Sequence, residues 1–366
     1  MNKIRIIFEY IQEGMNSLNT ITVLDSEQVG RLLTLPMAVR AVERAYVFKN
    51  SGRASLFPVV THVFREGEAD LDIKSGELRG CGIFGLKLVS WFGENPQRGL
   101  PALMGTLLVF DSETGAPIGL MNAGQITGMR TGAAAAVGSK YLARRDSRTL
   151  LMVGSGTQAP YQIMAHLECL DGIEQVLVYD PLALENARIF CEGLRPLLQE
   201  RFVARESGEE QAHAQRRIAV PFRPVDSLPA ALAEADIVVT ATPSRRPLID
   251  SADVRPGTHL SCMGADMSGK QETDVNLPAR CRLFADDIAQ SMEIGECEAA
   301  AKAGLISADR YCAEIGEVIS GQKPGRLCDR DITLFDSSGI ALQDLSTAAA
   351  ILSEAERLGV GSRIAL

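Results

Sequence analysis

A chain of 366 residues is long enough for two domains, each burying its own core. An apolar share of 46% with 23% charged residues is that of a soluble globular protein. The net charge of −9 argues against a surface built for nucleic acid or anionic membrane.

Residues 1 to about 20 read as an extension. The run IRIIFEYI is too short and too acidic for a signal-peptide core, no small-residue cleavage site follows, and Met15 is an alternative start. No apolar run reaches the roughly 18 residues a membrane span needs. From Thr20 the pattern becomes regular: ITVLD as a strand, Ser26 or Thr34 as helix caps, and MAVRAVERAYVFK as a helix with Met37, Val39, Val42, Ala45 and Tyr46 near one face. Four strands follow in PVVTHVF, GIFGLKLVSWF, ALMGTLLVFD and APIGLMN. With no helix between them they imply a largely antiparallel or mixed sheet.

ITGMRTGAAAAVGSKYLARR reads as an Ala-rich helix leading to a second kind of domain. There, strands LLMV, QVLVY, IAVPF, DIVVTAT, HLSCMGA and CRLFADD alternate with helices YQIMAHLECL, ALENARIFCEGLRPLLQ and LPAALAEA, the pattern of a doubly wound α/β fold. The polar stretch Arg205 to Arg217 reads as an exposed loop. From Thr333 a strand, a turn and a long helix remain; with no parallel strand left to build, this tail is free to return to the first domain. Eight cysteines without a C-x-x-C pair read as reduced, mostly buried thiols of a cytosolic protein. Four histidines without paired spacing give no reason to expect a metal.

The stretch from Thr149 to Pro181 carries the clearest chemistry. Gly154, Gly156 and Ala159 stand at G-x-G-x-x-A spacing between a buried strand and a helix, and Asp180 ends the next strand. Gly154 permits a tight turn, Gly156 lets backbone approach a pyrophosphate, and the helix N-terminus offers unpaired N–H groups to the anion. Asp180 can accept hydrogen bonds from an adenosine ribose and would repel a 2′-phosphate, which favours NAD over its phosphorylated form.

Outside this unit three charges stand in apolar or Gly-rich settings. Lys87, mid-strand in FGLKLVSWF, is either an edge lysine facing solvent or an inward cation awaiting a carboxylate. Arg130 in TGMRTGAAAA is either a snorkelling surface residue or a ligand-binding one. Asp266 directly follows HLSCMGA, at the carboxyl end of a strand, where ligands bind in open α/β sheets and where capping aspartates also occur. Two cations and an acid beside a nicotinamide suit an amino or imino acid: the cations hold its carboxylate and the acid moves a proton. Glu293, Glu296, Asp286 and Asp287 read as solvated or helix-end charges, and Trp91 as core.

LKLVSWFGENP, LPALMGTLLVFD, TGMRTGAAAAVGSKYLA, VGSGTQA, GADMSGKQE and FDSSGIALQD together resemble the ornithine cyclodeaminase/mu-crystallin family, from about Thr22 to the C-terminus. The resemblance implies a homodimer. Its α/β fold has a Rossmann-type doubly wound domain at 129–334 and a discontinuous α+β dimerisation/substrate domain at 1–128 and 335–366. It implies Lys87 and Arg130 on the substrate carboxylate, Ser338 beside the substrate and Asp266 in proton transfer. Thr157, Gln158 and Asp180 would contact NAD, Lys270 and Ser337 would lie near it, and Thr240 or Thr242 would line the cleft.

The chain departs from the family pattern in places. Cyclodeaminases usually carry a further carboxylate-binding arginine in a Pro-x-Arg context, where this chain has Val60, followed by Thr61 and His62. The threonine usual after the lysine strand is replaced by Ala102. The segment EADLDIKSGELRGCGIFGLK is closer to the amino-acid dehydrogenase and imine reductase branch. The favoured function is therefore NAD(H)-dependent reduction of a small imino acid or its reverse. The alternatives are an ornithine cyclodeaminase, which releases ammonia using catalytic NAD, and a crystallin-like dinucleotide binder without activity.

Overall fold

The computed structural model describes residues 20–205 and 208–366, so the reading of residues 1–19 as an extension lies outside it. Backbone contacts divide the chain into two units: the described residues up to Leu33 with Ser51–Thr127 and Ala341–Leu366, and Thr34–Asn50 with Gly128–Ile340.

The first unit is built on a mixed eight-stranded sheet. Its strands are β1 (Thr20–Leu24), β2 (Ser55–Leu56), β3 (Val60–Arg65), β4 (Ala69–Leu78), β5 (Ile83–Phe92), β6 (Leu103–Asp111), β7 (Pro117–Asn122) and a C-terminal strand, Ser362–Ala365. From β4 to β7 the strands form an antiparallel meander; β1 runs parallel to β7 and antiparallel to the C-terminal strand. The long strand β4 was not among the four expected from sequence. Its run ADLDIKSGEL carries charges on both faces, which hides the half-buried alternation that marks a strand. The helix Ala341–Leu358 packs on β4 and β5. Side chains are missing where it comes closest: a Cβ on Gly85 would lie 2.9 Å from a Leu345 methyl, and one on Gly76 3.3 Å from a Leu342 methyl.

A correction concerns the first helix, Ser26–Leu32. Asp25 caps it, not Ser26, through a reciprocal capping box with Gln28. Thr34 does cap the next helix, accepting from the Met37 N–H at 3.4 Å.

The second unit contains a sheet of eight parallel strands. In chain order these are β8 (Thr149–Val153), β9 (Gln175–Tyr179), β10 (Phe222–Pro224), β11 (Ile237–Thr240), β13 (His259–Cys262), β15 (Arg282–Ala285), β16 (Tyr311–Glu314) and β17 (Thr333–Asp336); β12 (Arg245–Ile249) and β14 (Gln271–Thr273) pair separately. The order 10-9-8-11-13-17-15-16 reverses direction between β8 and β11, the switch point at which a doubly wound fold opens a ligand crevice. Leu151, Val153, Val238, Leu260, Leu283 and Leu334 from its strands pack into one core cluster.

Two expectations need correcting here. The tail from Thr333 does not simply return to the other unit, because β17 first inserts between β13 and β15. The stretch read as a loop holds a helix, Gly208–Arg217, with acids in its first turn and arginines in its last, matching the helix dipole. The helix Leu35–Asn50 also belongs to this unit: it packs against Ile315–Ile319, where a Cβ on Gly316 would meet the Tyr46 carbonyl at 2.3 Å. In the Ala-rich helix Gly124–Leu142, Ala133 to Val137 are fully buried. Its glycines meet neighbours directly: a Cβ on Gly132 would lie 2.4 Å from the Tyr161 carbonyl oxygen.

Candidate functional site

At the C-terminal end of β8, Gly154 has φ +108°, and a Cβ there would sit 3.0 Å from the Ala241 carbonyl beyond β11. The glycine is needed by the turn and by the close approach of the two strand ends. Gly156 differs. A Cβ on it would meet nothing within 4 Å, so the protein itself does not require a glycine, and Gly156 and Thr157 are exposed. Beside them the Gln158 Oε1 is buried with no hydrogen-bond partner in the protein. An open cradle over exposed backbone at a helix start, with an orphaned acceptor next to it, fits a dinucleotide bearing hydroxyl or amide donors.

Asp180 follows β9. Its Oδ1 accepts from the Leu182 and Ala183 N–H groups at 3.0 and 3.3 Å and from Asn186 Nδ2 at 3.1 Å, while Ser155 donates to Oδ2. Partial burial pushes this carboxyl upward, but those donors outweigh it and hold its pKa below the ordinary value. The carboxylate is fixed in place and keeps its charge.

Thr240 and Thr242 close the other side of the switch point, but their hydroxyls are committed. Thr240 Oγ1 donates to Glu272 at 2.6 Å, and the Thr242 N–H and Oγ1 donate to it at 2.6 and 2.7 Å. The Gly264 N–H adds a fourth bond at 3.0 Å. Burial raises the pKa of Glu272, and these donors oppose it. Glu272 was not singled out from sequence; its position shortly after the Asp266 loop was the available signal.

Asp266 lies in the loop after β13. Lys270 Nζ is 2.5 Å from its Oδ1, and the Asp266 side chain is 47% exposed. The loop is tied down by the buried Glu298, which accepts from Ser268 and from the Gly269 N–H at 2.6 Å.

Arg130 is 6% exposed, which settles against the surface reading. Its guanidinium lies on the Gly339 turn: Gly339 has φ +81°, and a Cβ there would be 2.7 Å from Nη1. Asp286 accepts from Ser337 Oγ at 2.8 Å and from the Gly339 N–H at 3.0 Å. Gln290 Nε2 donates to Ser338 Oγ at 2.9 Å. Burial, opposed by the Ser337 hydrogen bond and reinforced by Asp336, pushes the Asp286 carboxyl up to about 6. Asp286 and Glu296, expected to be solvated, are both buried, whereas Glu293 is exposed and Asp287 caps a helix. Glu296 takes the Thr273 N–H and hydroxyl, and Asp336 the Glu296 and Cys297 N–H groups. Tertiary contacts supply these donors, so no local pattern marks them.

In the first unit Lys87 is 1% exposed and donates to Asp344 Oδ1 at 2.9 Å. The inward alternative therefore holds, and Asp344 of the C-terminal helix is the carboxylate it met. Trp91, expected as core, is half-buried. All eight cysteines are free, but only Cys262, Cys281 and Cys297 are buried, fewer than expected.

A family model described as ornithine cyclodeaminase/mu-crystallin family matches residues 20–358. The chain belongs to this family. It is 33% identical to the iminosuccinate reductase of Paracoccus denitrificans over 93% of this chain and 99% of that protein. The structure of Thermococcus litoralis Δ1-pyrroline-2-carboxylate reductase in complex with NADH and L-proline superposes with a TM-score of 0.83, at 29% identity over 94% of this chain and all (100%) of that one. An archaeal alanine dehydrogenase dimer with bound NAD superposes at 0.82, with 34% identity over 94% of this chain and 99% of that one. Among the described residues no helix is long and apolar enough to cross a membrane.

Proposed function

We propose that this family member is an NAD(H)-dependent imino-acid reductase, or amino-acid dehydrogenase in reverse, working at the α-carbon of a small substrate. The observation that carries the reading is the buried Lys87 ammonium, oriented by Asp344 in the middle of an otherwise apolar strand. A binder of dinucleotide alone has no use for it, and relatives named for imine reduction and alanine dehydrogenation support the reading.

Bound NAD(H) supplies or takes the hydride. Gly154, Gly156, Thr157 and Gln158 would hold its pyrophosphate region, and Asp180 its ribose. Lys270 and Ser337 would lie near it. Thr240 and Thr242 would shape the cleft through Glu272 rather than by offering free hydroxyls. Lys87 and Arg130 would hold the substrate carboxylate, with Ser338 nearby. Asp266, paired with Lys270, would exchange the proton on nitrogen; an imine accepts hydride well only when protonated. Val60, 55% exposed on an edge strand, stands where a cyclodeaminase would have an arginine, which disfavours ornithine.

We also infer a homodimer. Among the described residues nothing covers β3, whose six residues, Val60, Val63 and Phe64 among them, are all exposed, and an apolar edge of this kind is normally covered. The free cysteines support a cytosolic setting.

The test is NADH oxidation with pyruvate plus ammonia, oxaloacetate plus ammonia, cyclic imines and ornithine. Asp266→Asn should lower kcat about 10²–10⁴-fold while leaving NADH binding near wild type. Ornithine giving proline with catalytic NAD and no net NADH change would replace this reading with the cyclodeaminase one.

A further inference from the structure

In the second unit β17, β15 and β16 are neighbours and run parallel, so their starts gather at one end of the sheet. That end lies opposite the strand ends that form the dinucleotide crevice. Each of the three starts carries arginine. Arg282 opens β15 with Arg280 just before it, Arg310 precedes β16, and Arg330 lies shortly before β17. The parallel arrangement brings them around one open cavity of about 490 Å³, a size common for small-ligand sites. Four guanidinium groups share its lining with a single carboxylate, that of Asp331.

Three of these arginines are anchored by uncharged oxygens. Arg280 donates from Nη1 to Ser251 Oγ at 3.0 Å and from Nη2 to the Val254 carbonyl at 3.4 Å. Arg310 Nη2 donates to the Ala279 carbonyl at 3.1 Å, and Arg282 Nε to the Gly325 carbonyl at 3.2 Å. Such oxygens orient a guanidinium but bring no net charge to offset it. Asp331 lies 3.6 Å from Arg282 and also takes the Leu327 and Cys328 N–H groups at 2.7 and 3.1 Å. Asp309, the chain neighbour of Arg310, accepts from the Ser307 hydroxyl. The cavity is thus strongly positive on a chain whose net charge is −9. Arginine does not lose its proton at physiological pH, so the cluster cannot relieve its repulsion by titrating. An anion entering the cavity does relieve it.

We propose that this cavity is a second anion site, separate from the dinucleotide crevice, for a small molecule bearing a diphosphate group. Each guanidinium presents paired N–H donors that match two oxygens of one phosphoryl group. Four of them, carried by three strand starts, offer more donors than one phosphate can take, whereas a diphosphate spreads its charge over two groups. Cys281, Cys312 and Ile332 add apolar surface beside the arginines for the rest of such a molecule.

The experiment is calorimetric titration of the full chain, holding one equivalent of NADH, with pyrophosphate, citrate and sulfate. Pyrophosphate should bind at least about tenfold more tightly than either of the others. Arg330→Glu, a single exposed change, should weaken it about tenfold or more. Arg310→Gln with Arg330→Gln should abolish it, and Arg310→Lys, which keeps the charge but loses the fork, should weaken it less. NADH affinity should stay at the wild-type value in every variant. Pyrophosphate without measurable binding would overturn the proposal. So would binding that these substitutions leave unchanged, because the anion would then sit elsewhere. Tighter binding of citrate would make the site one for polycarboxylates, and sulfate binding as tightly as pyrophosphate would reduce it to a nonspecific basic patch; either result sinks the diphosphate assignment. None of these readouts depends on the reductase reading.

Discussion

One buried cluster in each unit is served in an opposite way. In the first, a lysine and an aspartate from distant parts of the chain meet at 2.9 Å with side chains 1% and 2% exposed. In the second, Glu272, Glu296, Asp286 and Asp336 are buried and take hydrogen bonds from hydroxyl and backbone N–H groups. An ion pair keeps both partners charged. A carboxyl met by neutral donors is partly satisfied and can answer burial by holding its proton, which is why burial raises Asp286, Asp336, Glu272 and Glu296. The first arrangement suits orienting a fixed charge; the second braces turns.

Breaking the ion pair is the most severe test of this contrast. Lys87→Met should cost about 3–5 kcal/mol in urea unfolding by removing the cation that Asp344 Oδ1 bonds in the interior. Lys87→Met with Asp344→Leu should recover much of the stability but none of the activity. Equal stability of the single and double variants would show that the pair is not the determining interaction.

The neutral-donor arrangement makes a pH-dependent prediction. With a folded pKa of about 6 against an ordinary value near 3.8, Asp286 holds its proton in the folded state at pH values where the unfolded chain has lost it. Stability from this group is complete below about pH 4 and declines as pH rises through 6, by about 2–3 kcal/mol. Unfolding midpoints of Asp286→Asn measured across that range should be flatter than those of wild type. An unchanged slope would mean that Asp286 is ionised in the fold.

Asp180 gives the smallest effect, because its donors hold it ionised and only partly buried. Asp180→Ser should reduce discrimination against NADPH about tenfold, near 1.4 kcal/mol, read from the two dissociation constants. Tight NADPH binding by wild type would remove the basis for the prediction.

Much of the second unit is legible in sequence, since strand, Gly-rich turn and helix are short-range patterns and the turn requires Gly154 itself. The strand β4 escapes because charged residues interrupt its alternation, and Gly208–Arg217 escapes because a polar helix looks like a loop. Lys87 and Arg130 can be picked out as charges in apolar surroundings, but their direction cannot.

The sequence alone determined the dinucleotide turn, the acid that follows β9 and the family to which the chain belongs. These depend on side-chain type at fixed spacing along a few dozen residues. Only the tertiary structure decided that Lys87 turns inward onto Asp344, 257 residues away, that Thr240 and Thr242 serve Glu272, and that β17 inserts between β13 and β15. A buried charge is tolerable only where a partner arrives, and that partner comes from a part of the chain that no local pattern connects to it.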